Sequence, residues 1–144
     1  LRGMQADLLF SCLGTTKKIA GSIEAQRIVD VHYQLEVFQT LVRQGLKHYL
    51  LVSSSGAHER SSNAYLKMKG ELEREVKIIF EDSKMNTLHI LQPSLLKGPR
   101  KEFRLGESIG TRISPLLTCL PFFKKYRPIH VDEVAEKMVL LSKA

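Results

Sequence analysis

The stretch HYLLVSSSGAHERSSNAYLKMK, residues 48–69, decides how this chain folds. Its first part, His48 to Ser54, has an apolar centre and ends in serines, a pattern typical of a buried strand that is followed by a turn. A helix is expected next, from about Ser62 to Asp82, with Ser62 or Asn63 as its N-cap. The stretch therefore predicts a strand–helix unit.

The residues before this stretch predict a second unit of the same kind. DLLFSC, from Asp7 to Cys12, is a short apolar run that ends in a turn, as a buried strand does. A helix follows from about Gln26 to Gln44, and Gly45 stands where a helix C-terminal glycine belongs. The apolar residues expected on the buried side of this helix are Ile28, Val31, Leu35, Phe38, Leu41 and Val42.

The residues after the stretch continue the alternation. TLHILQP, from Thr87 to Pro93, predicts a third strand. A loop is expected from Ser94 to Gly106, and a short amphipathic helix around Ile109 to Leu120. PIHV, from Pro128 to Val131, predicts a short fourth strand, and Asp132 is expected to cap the final helix.

Strands that alternate with helices predict an α/β fold for residues 1–144 as a single domain, with a partial Rossmann-type, doubly wound and mainly parallel sheet. Ligands of such sheets bind beyond the carboxyl ends of the strands. Three patches follow the ends of the first three strands, and they are Leu13-Gly14-Thr15, Ser53-Ser54-Ser55 and Gln92-Pro93-Ser94. We expect these patches to line one crevice.

Composition narrows the class of protein. The net charge is +7, but the basic residues are spread along the chain, so a solvated basic surface is favoured over nucleic-acid binding. The cysteines and histidines have no metal-ligand spacing, so no metal site is expected. No apolar run is long enough to span a membrane. Reduced thiols and a cytoplasmic location are expected.

The helix predicted after residue 62 carries a lysine on its apolar side. At about 100° per residue, the apolar residues from Met68 to Phe80 fill an arc of about 120° that must face the sheet. Tyr65 and Lys69 fall inside the same arc. Burying an ammonium group without compensation is costly, so this position indicates a role for Lys69. The alternative is that Lys69 extends from the helix start into solvent.

Tyr65, Lys69 and a nearby serine would together suit carbonyl–alcohol interconversion. An ammonium close to a phenol lowers the phenol's pKa, so that the tyrosine exchanges a proton near neutral pH. A serine hydroxyl can hold the substrate oxygen as charge develops on it. Hydride would come from a cofactor. Residues 53–55 are all serines, so which of them assists stays open at this point.

The order Ser-Tyr-Lys, with YxxxK on a helix after a strand that ends in serines, resembles the short-chain dehydrogenase/reductase superfamily. Five stretches are similar to its atypical, NmrA-related reductases of the Tat-interacting-protein branch. They are FSCLGTTKKIAGS, KHYLLVSSSGA, SSNAYLKMKGELE, ILQPSLLKGPRKEFRLGE and PIHVDEVAEKMV. The resemblance implies NADP(H) or NAD(H) as cofactor and a small-molecule carbonyl substrate. From the charge distribution and the apolar runs above, neither nucleic acid nor a membrane is expected as a partner. Whether the protein forms a homo-oligomer stays open.

The resemblance also implies a role for individual residues. Tyr65 would be the general acid/base, Lys69 would lower its pKa and bind the nicotinamide ribose, and Ser54 would assist, with Ser55 and Ser53 as fallbacks. Further cofactor-binding residues implied are Cys12, Leu13, Gly14, Thr15, Ser53, Gln92, Pro93, Leu96 and Arg104. Arg100 would share the role of Arg104, unless this loop is merely solvated. Ser61 and Ser62 fit helix capping better than catalysis, and His130 and Asp132 are given no chemistry.

The chain departs from the family in one respect. No glycines have the GxxGxxG spacing of the family's first strand–turn–helix, so about two βαβ-type units of about 30 residues each are expected to be missing. The predicted strand Asp7–Cys12 would then have an unpaired edge. We expect the missing half to exist in the protein, or a partner chain to cover the edge. The alternative function is a cofactor-sensing regulatory protein with little turnover.

Overall fold

The computed structural model describes residue 3, residues 5–97 and residues 128–143. The strands are β1 (Leu8–Ser11), β2 (His48–Val52), β3 (Thr87–Leu91), β4 (Leu96–Lys97) and β5 (Ile129–His130). The α-helices are α1 (Lys17–Ala20), α2 (Ile23–Arg27), α3 (Gln34–Arg43), α4 (Ala64–Glu81) and α5 (Val131–Leu141). A π-helical turn, Ile28–Tyr33, joins α2 to α3 and is called the π segment below. The predicted helix around Ile109 to Leu120 lies outside the described residues.

The strands form parallel pairs, as predicted. The main sheet has the order β1-β2-β3, with Leu8 opposite His48 and His48 opposite Thr87. A second, two-stranded sheet pairs β4 with β5, also in parallel. Each parallel connection in the main sheet carries a helix, which is how parallel strands are usually joined. The predicted α/β class with a parallel, partial Rossmann-like sheet is confirmed.

The core lies between the main sheet and helices α3 and α4. Tyr49 and Leu51 of β2 face Phe38 of α3 and Leu72 of α4, and all four side chains are fully buried. The rings of Phe38 and Tyr49 stack with centroids 4.2 Å apart. Leu50 points to the opposite face of the sheet, since side chains alternate along a strand, and it is fully buried as well.

The helix predicted from Gln26 to Gln44 forms, but it is not a regular α-helix. The π segment interrupts it between α2 and α3. Ile28, predicted to face the sheet, is 44% exposed, so that assignment is wrong. Asp30 is fully buried instead. A π-turn holds an extra residue per turn, and it therefore rotates the residues before it relative to those after it.

The predicted helix ends are confirmed at two places and wrong at a third. Gly45 follows α3 with φ of +95°, a conformation that glycine adopts without strain. Asn63, one of the two N-caps considered, caps α4 through its side-chain oxygen. Asp132, by contrast, lies inside α5, and the preceding His130 is the N-cap in a reciprocal capping box with Glu133. An imidazole nitrogen serves here as the acceptor that a carboxylate was expected to supply.

The buried phenol of Tyr49 predicts a loss of stability in alkali. Burial raises the pKa of Tyr49 to about 12, and the nearby Ser11 hydroxyl opposes this shift only in part. A tyrosine in the unfolded chain titrates near 10. Between pH 10 and 12 the unfolded state therefore releases a proton that the folded state keeps, and the free energy of unfolding falls as pH rises.

We expect the wild type to lose about 1 kcal/mol more than Tyr49→Phe between about pH 9 and about pH 11, because the other titrating groups are shared. Urea unfolding of both proteins at the two pH values measures this difference. Equal losses in the two proteins would show that Tyr49 ionises in the folded state as it does in the unfolded chain.

Candidate functional site

The three predicted patches meet at the carboxyl ends of β1, β2 and β3. Beyond the last strand pairs, Ser53 N–H donates to the carbonyl of Leu91 at 2.7 Å. Ser55 N–H donates to the carbonyl of Pro93 at 2.9 Å. These two bonds continue the pairing of β2 with β3 past the strand ends. They place the serine patch beside the patch that contains Gln92 and Pro93.

The three serines differ in their surroundings. Ser53 is only 5% exposed, and its hydroxyl oxygen has no hydrogen-bond partner in the described parts of the chain. Ser54 is half-buried, and its carbonyl accepts the N–H of Ala57 at 3.0 Å. Leaving the buried hydroxyl of Ser53 without a partner is costly for the fold. Ser54 as the assisting serine stays a prediction, with Ser55 and Ser53 as the fallbacks.

The segment after the serines packs tightly onto the start of α4. His58 N–H donates to the carbonyl of Leu66 at 3.1 Å. A Cβ atom at Gly70 would lie 2.2 Å from the carbonyl carbon of His58 and 2.4 Å from the nitrogen of Glu59. Only a residue without a side chain allows this approach. Gly70 therefore fixes the serine segment against the helix that carries Tyr65 and Lys69.

Tyr65 lies in the first turn of α4. The side-chain oxygen of Asn63 accepts the backbone N–H groups of Tyr65 and Leu66 at 3.0 and 3.1 Å, which fixes the start of the helix. Tyr65 itself is half-buried. Lys69 follows four residues later, and residues with this spacing are neighbours on one side of a helix.

Lys69 is buried on the sheet-facing side of α4, as its place in the apolar arc predicted. Its side chain is only 4% exposed, so the alternative in which it extends into solvent is wrong. Its Nζ lies 3.2 Å from Oδ1 of Asp30, whose side chain is 1% exposed. The contact is an ion pair without an aligned hydrogen bond, since Oδ1 makes no hydrogen bond to any described residue.

The loop after β1 reaches the same ion pair. A Cβ atom at Gly14 would lie 3.2 Å from Oδ1 of Asp30 and 3.9 Å from Nζ of Lys69. The N–H of Thr15 donates to Oδ2 of Asp30 at 3.1 Å, and Gln26 donates to the carbonyl of Thr15 at 3.1 Å. The structure thus brings together Gly14, Thr15 and Lys69, three of the predicted site residues.

Cys12 and Leu13 precede Gly14 and Thr15 in the loop after β1. Cys12 and Leu13 are exposed, and the Cys12 sulfur is 3.9 Å from that of Met138 in α5. Partial burial raises the pKa of the Cys12 thiol, although the residue as a whole is exposed. The cysteine is therefore mostly a neutral thiol at physiological pH.

In the third patch, the side chain of Gln92 is hydrogen-bonded to the buried carboxylate of Glu73. Gln92 donates from one amide nitrogen to both oxygens of Glu73, at 2.8 and 2.9 Å, and Glu73 is 6% exposed. Pro93 is buried, and Leu96 in β4 is half-buried. Arg100 and Arg104 lie outside the described residues, so their predicted roles stay predictions.

Sequence reasoning missed the buried polar residues that support the site, above all Asp30. Gln26, Asp30 and Gln34 recur every four residues along one side of the helix. All three are at most 4% exposed. Polar residues at this spacing usually indicate a solvated side. The pattern therefore gave no reason to place them inside.

The comparison with known proteins finds relatives of similar sequence, while no protein-family model matches the chain. FMP52 of Emericella nidulans, a protein named as mitochondrial, is 40% identical over 103 residues, which are 72% of this chain and 42% of that protein. FMP52 of Saccharomyces cerevisiae, also named as mitochondrial, is 37% identical over 96% of this chain and 60% of that protein. HTATIP2 of Rattus norvegicus is 41% identical over 74% of this chain and 42% of that protein.

These comparisons correct one expectation. The predicted cytoplasmic location is wrong, since the FMP52 relatives are named as mitochondrial proteins. Within the described helices, none combines the length and apolar character needed to cross a membrane.

The matched region spans about half the length of the relatives, between 42% and 60% in the three cases above. Over most of its length, then, the chain is similar to the FMP52 and HTATIP2 proteins.

Proposed function

We propose that the protein is an NAD(P)H-dependent oxidoreductase of the short-chain dehydrogenase/reductase type that interconverts a carbonyl and an alcohol. The observation that carries this proposal is the buried Lys69, one helical turn after Tyr65, at the carboxyl ends of the parallel strands. A lysine is rarely buried to this extent unless it is paired or has a role that needs its charge. The crevice beyond these strand ends is where such sheets bind ligands.

The residues around Lys69 fit the nicotinamide ribose of such a cofactor. The ammonium has three N–H donors, and its ion pair with Asp30 is not an aligned hydrogen bond, so these donors suit ribose hydroxyls. At the end of β2, the hydroxyl of Ser53 is buried and has no partner in the described region, so it has a free donor and acceptor for a polar ligand atom. Gly14 lets the backbone of the loop come close to the same place.

Each residue of the proposed site has one task in the reaction. Tyr65 would donate a proton to the substrate oxygen in reduction and accept it in oxidation. The positive charge of Lys69 would favour the phenolate and so bring the tyrosine's pKa nearer to neutral. A serine hydroxyl of residues 53–55 would hold the substrate oxygen while its charge changes. A bound nicotinamide cofactor supplies the hydride.

The test is a titration of the protein, expressed at its full natural length, with NADPH and with NADH, followed by an assay of their oxidation. Binding is measured by the change in nicotinamide fluorescence, and oxidation by absorbance with a panel of aldehydes and ketones. We expect binding of at least one cofactor and oxidation that depends on the carbonyl compound. Binding without any oxidation would favour a cofactor sensor instead. Absence of binding would refute both functions.

A further inference from the structure

A single buried carboxylate, that of Asp30, contacts two parts of the site that lie far apart in sequence. Oδ2 accepts the backbone N–H of Thr15 at 3.1 Å, and Oδ1 lies 3.2 Å from Nζ of Lys69. Asp30 is fully buried, and Lys69 is 3% exposed. The carboxylate therefore links the loop after β1 to the helix that carries the lysine.

Asp30 lies within the π segment, Ile28–Tyr33. π-turns are rare, and those inside α-helices occur frequently at functional sites. Here the backbone N–H of Gln34 bonds to the carbonyl of Val31, while its side-chain amide donates to the carbonyl of Asp30 at 2.6 Å. Ser11, the last residue of β1, donates to Gln34 at 2.6 Å. The side chains of Ser11 and Gln34 thus form a chain of hydrogen bonds from β1 to the carbonyl of Asp30.

Stability alone does not account for the ion pair. Removing two charges from water is costly, and attraction between them offsets this cost only when the geometry is very good. The pair between Asp30 and Lys69 lacks an aligned hydrogen bond among the described residues, so it is not an optimal one. Apolar residues of similar size often make a fold as stable or more stable at such places. The pair is better explained by what it positions.

We propose that Asp30 is a positioning residue that sets Lys69 and the loop at Gly14 and Thr15 at a fixed separation for the nicotinamide ribose. This inference rests on the proposed function. Asp30 need not touch the cofactor. It would act by holding the lysine side chain and the Thr15 backbone in place before the cofactor arrives, and such preorganisation increases affinity because less order has to be imposed on binding.

The experiment compares Asp30→Asn with the wild type at full natural length. Asparagine keeps an acceptor for the Thr15 N–H but loses the charge that holds Lys69. Two ligands are titrated, namely the nicotinamide cofactor that binds the wild type more tightly and its adenosine fragment, 2′,5′-ADP for NADPH or ADP for NADH. The matched control is Asp7→Asn, which removes an exposed carboxylate paired with Lys47 at 2.8 Å, ahead of β1 and β2.

We expect Asp30→Asn to weaken binding of the whole cofactor by about tenfold or more, and binding of the fragment by less than about twofold. Asp7→Asn should change neither. Equal weakening of both ligands, or of neither, would overturn the role of Asp30 while leaving the proposed function standing. If the wild type binds no nicotinamide cofactor, the proposed function fails first, and this inference with it.

Breaking a buried ion pair can prevent folding, so a milder variant is included. Gln34→Met removes the side-chain bond to the Asp30 carbonyl and leaves both charges in place. We expect a selective weakening of the whole cofactor here too, by about threefold. Unchanged binding of the cofactor by a folded Gln34→Met, together with an unfolded Asp30→Asn, would mean that the buried pair serves the fold only.

Discussion

Tyr65→Phe is expected to lower turnover by about a hundredfold to ten-thousandfold, the contribution of a well-placed general acid/base. The substitution removes one hydroxyl group and keeps the ring, so the first turn of α4 and its cap at Asn63 should stay intact. The cofactor's affinity should change by no more than a few-fold, because Lys69 and the loop at Gly14 are untouched. Steady-state oxidation of the cofactor and a binding titration measure the two effects separately.

Tyr33→Phe is the matched control for this experiment. Tyr33 is 51% exposed on the π segment, and the same hydroxyl is removed there at a place outside the crevice. We expect its turnover to equal that of the wild type. Wild-type turnover in Tyr65→Phe would show that Tyr65 is not the general acid/base. A loss of turnover in both variants would indicate a general effect on the fold.

The strand–helix alternation could be predicted from the sequence because it depends on local patterns. Continuous apolar runs mark β1, β2 and β3, and Gly45 and Asn63 mark helix ends through conformations and hydrogen bonds that involve neighbouring residues. The burial of Lys69 could be predicted for the same reason, since it followed from the position of Lys69 in the apolar arc of a single helix.

The partner of Lys69 could not be predicted in this way. Asp30 approaches it through a π-turn, and the apolar spacing of the helix from Gln26 to Gln44 fits a regular helix equally well. In the structure, Asp30 and Gln34 are hydrogen-bonded to Thr15 and Ser11, which come from another loop and strand. Tertiary contacts of this kind leave no periodic signal in the sequence.

The serine segment was predicted to lie near Tyr65, but the residue that holds it there was missed. Glycine inside a predicted helix usually costs about 1 kcal/mol relative to alanine, and the sequence gives no sign of a reason for it. The reason in the structure is the backbone of His58 and Glu59, which lies against Gly70. The geometry of the site thus depends on a contact between a loop and a helix ten or more residues apart.

Gly70→Ala separates these two effects by the sign of the change in stability. Helix propensity predicts a gain of about 1 kcal/mol. The tight contact predicts a loss, because the new methyl group would overlap backbone atoms of His58 and Glu59, which cannot rotate away as a side-chain end can. We expect the contact to dominate, with a net decrease of about 2 kcal/mol or more in the free energy of unfolding.

Gly45→Ala is the control, because φ at this position is +95° and no atom of a described residue would lie within 4 Å of the new methyl group. It should cost only the strain of that conformation, about 1 kcal/mol. Limited trypsin digestion adds a local measurement, because Arg60 lies next to the packed segment. Cleavage after Arg60 should become faster in Gly70→Ala than in Gly45→Ala, as the segment is pushed off α4. A Gly70→Ala protein that is more stable than the wild type, with unchanged cleavage at Arg60, would show that the serine segment is held against α4 by something other than this contact.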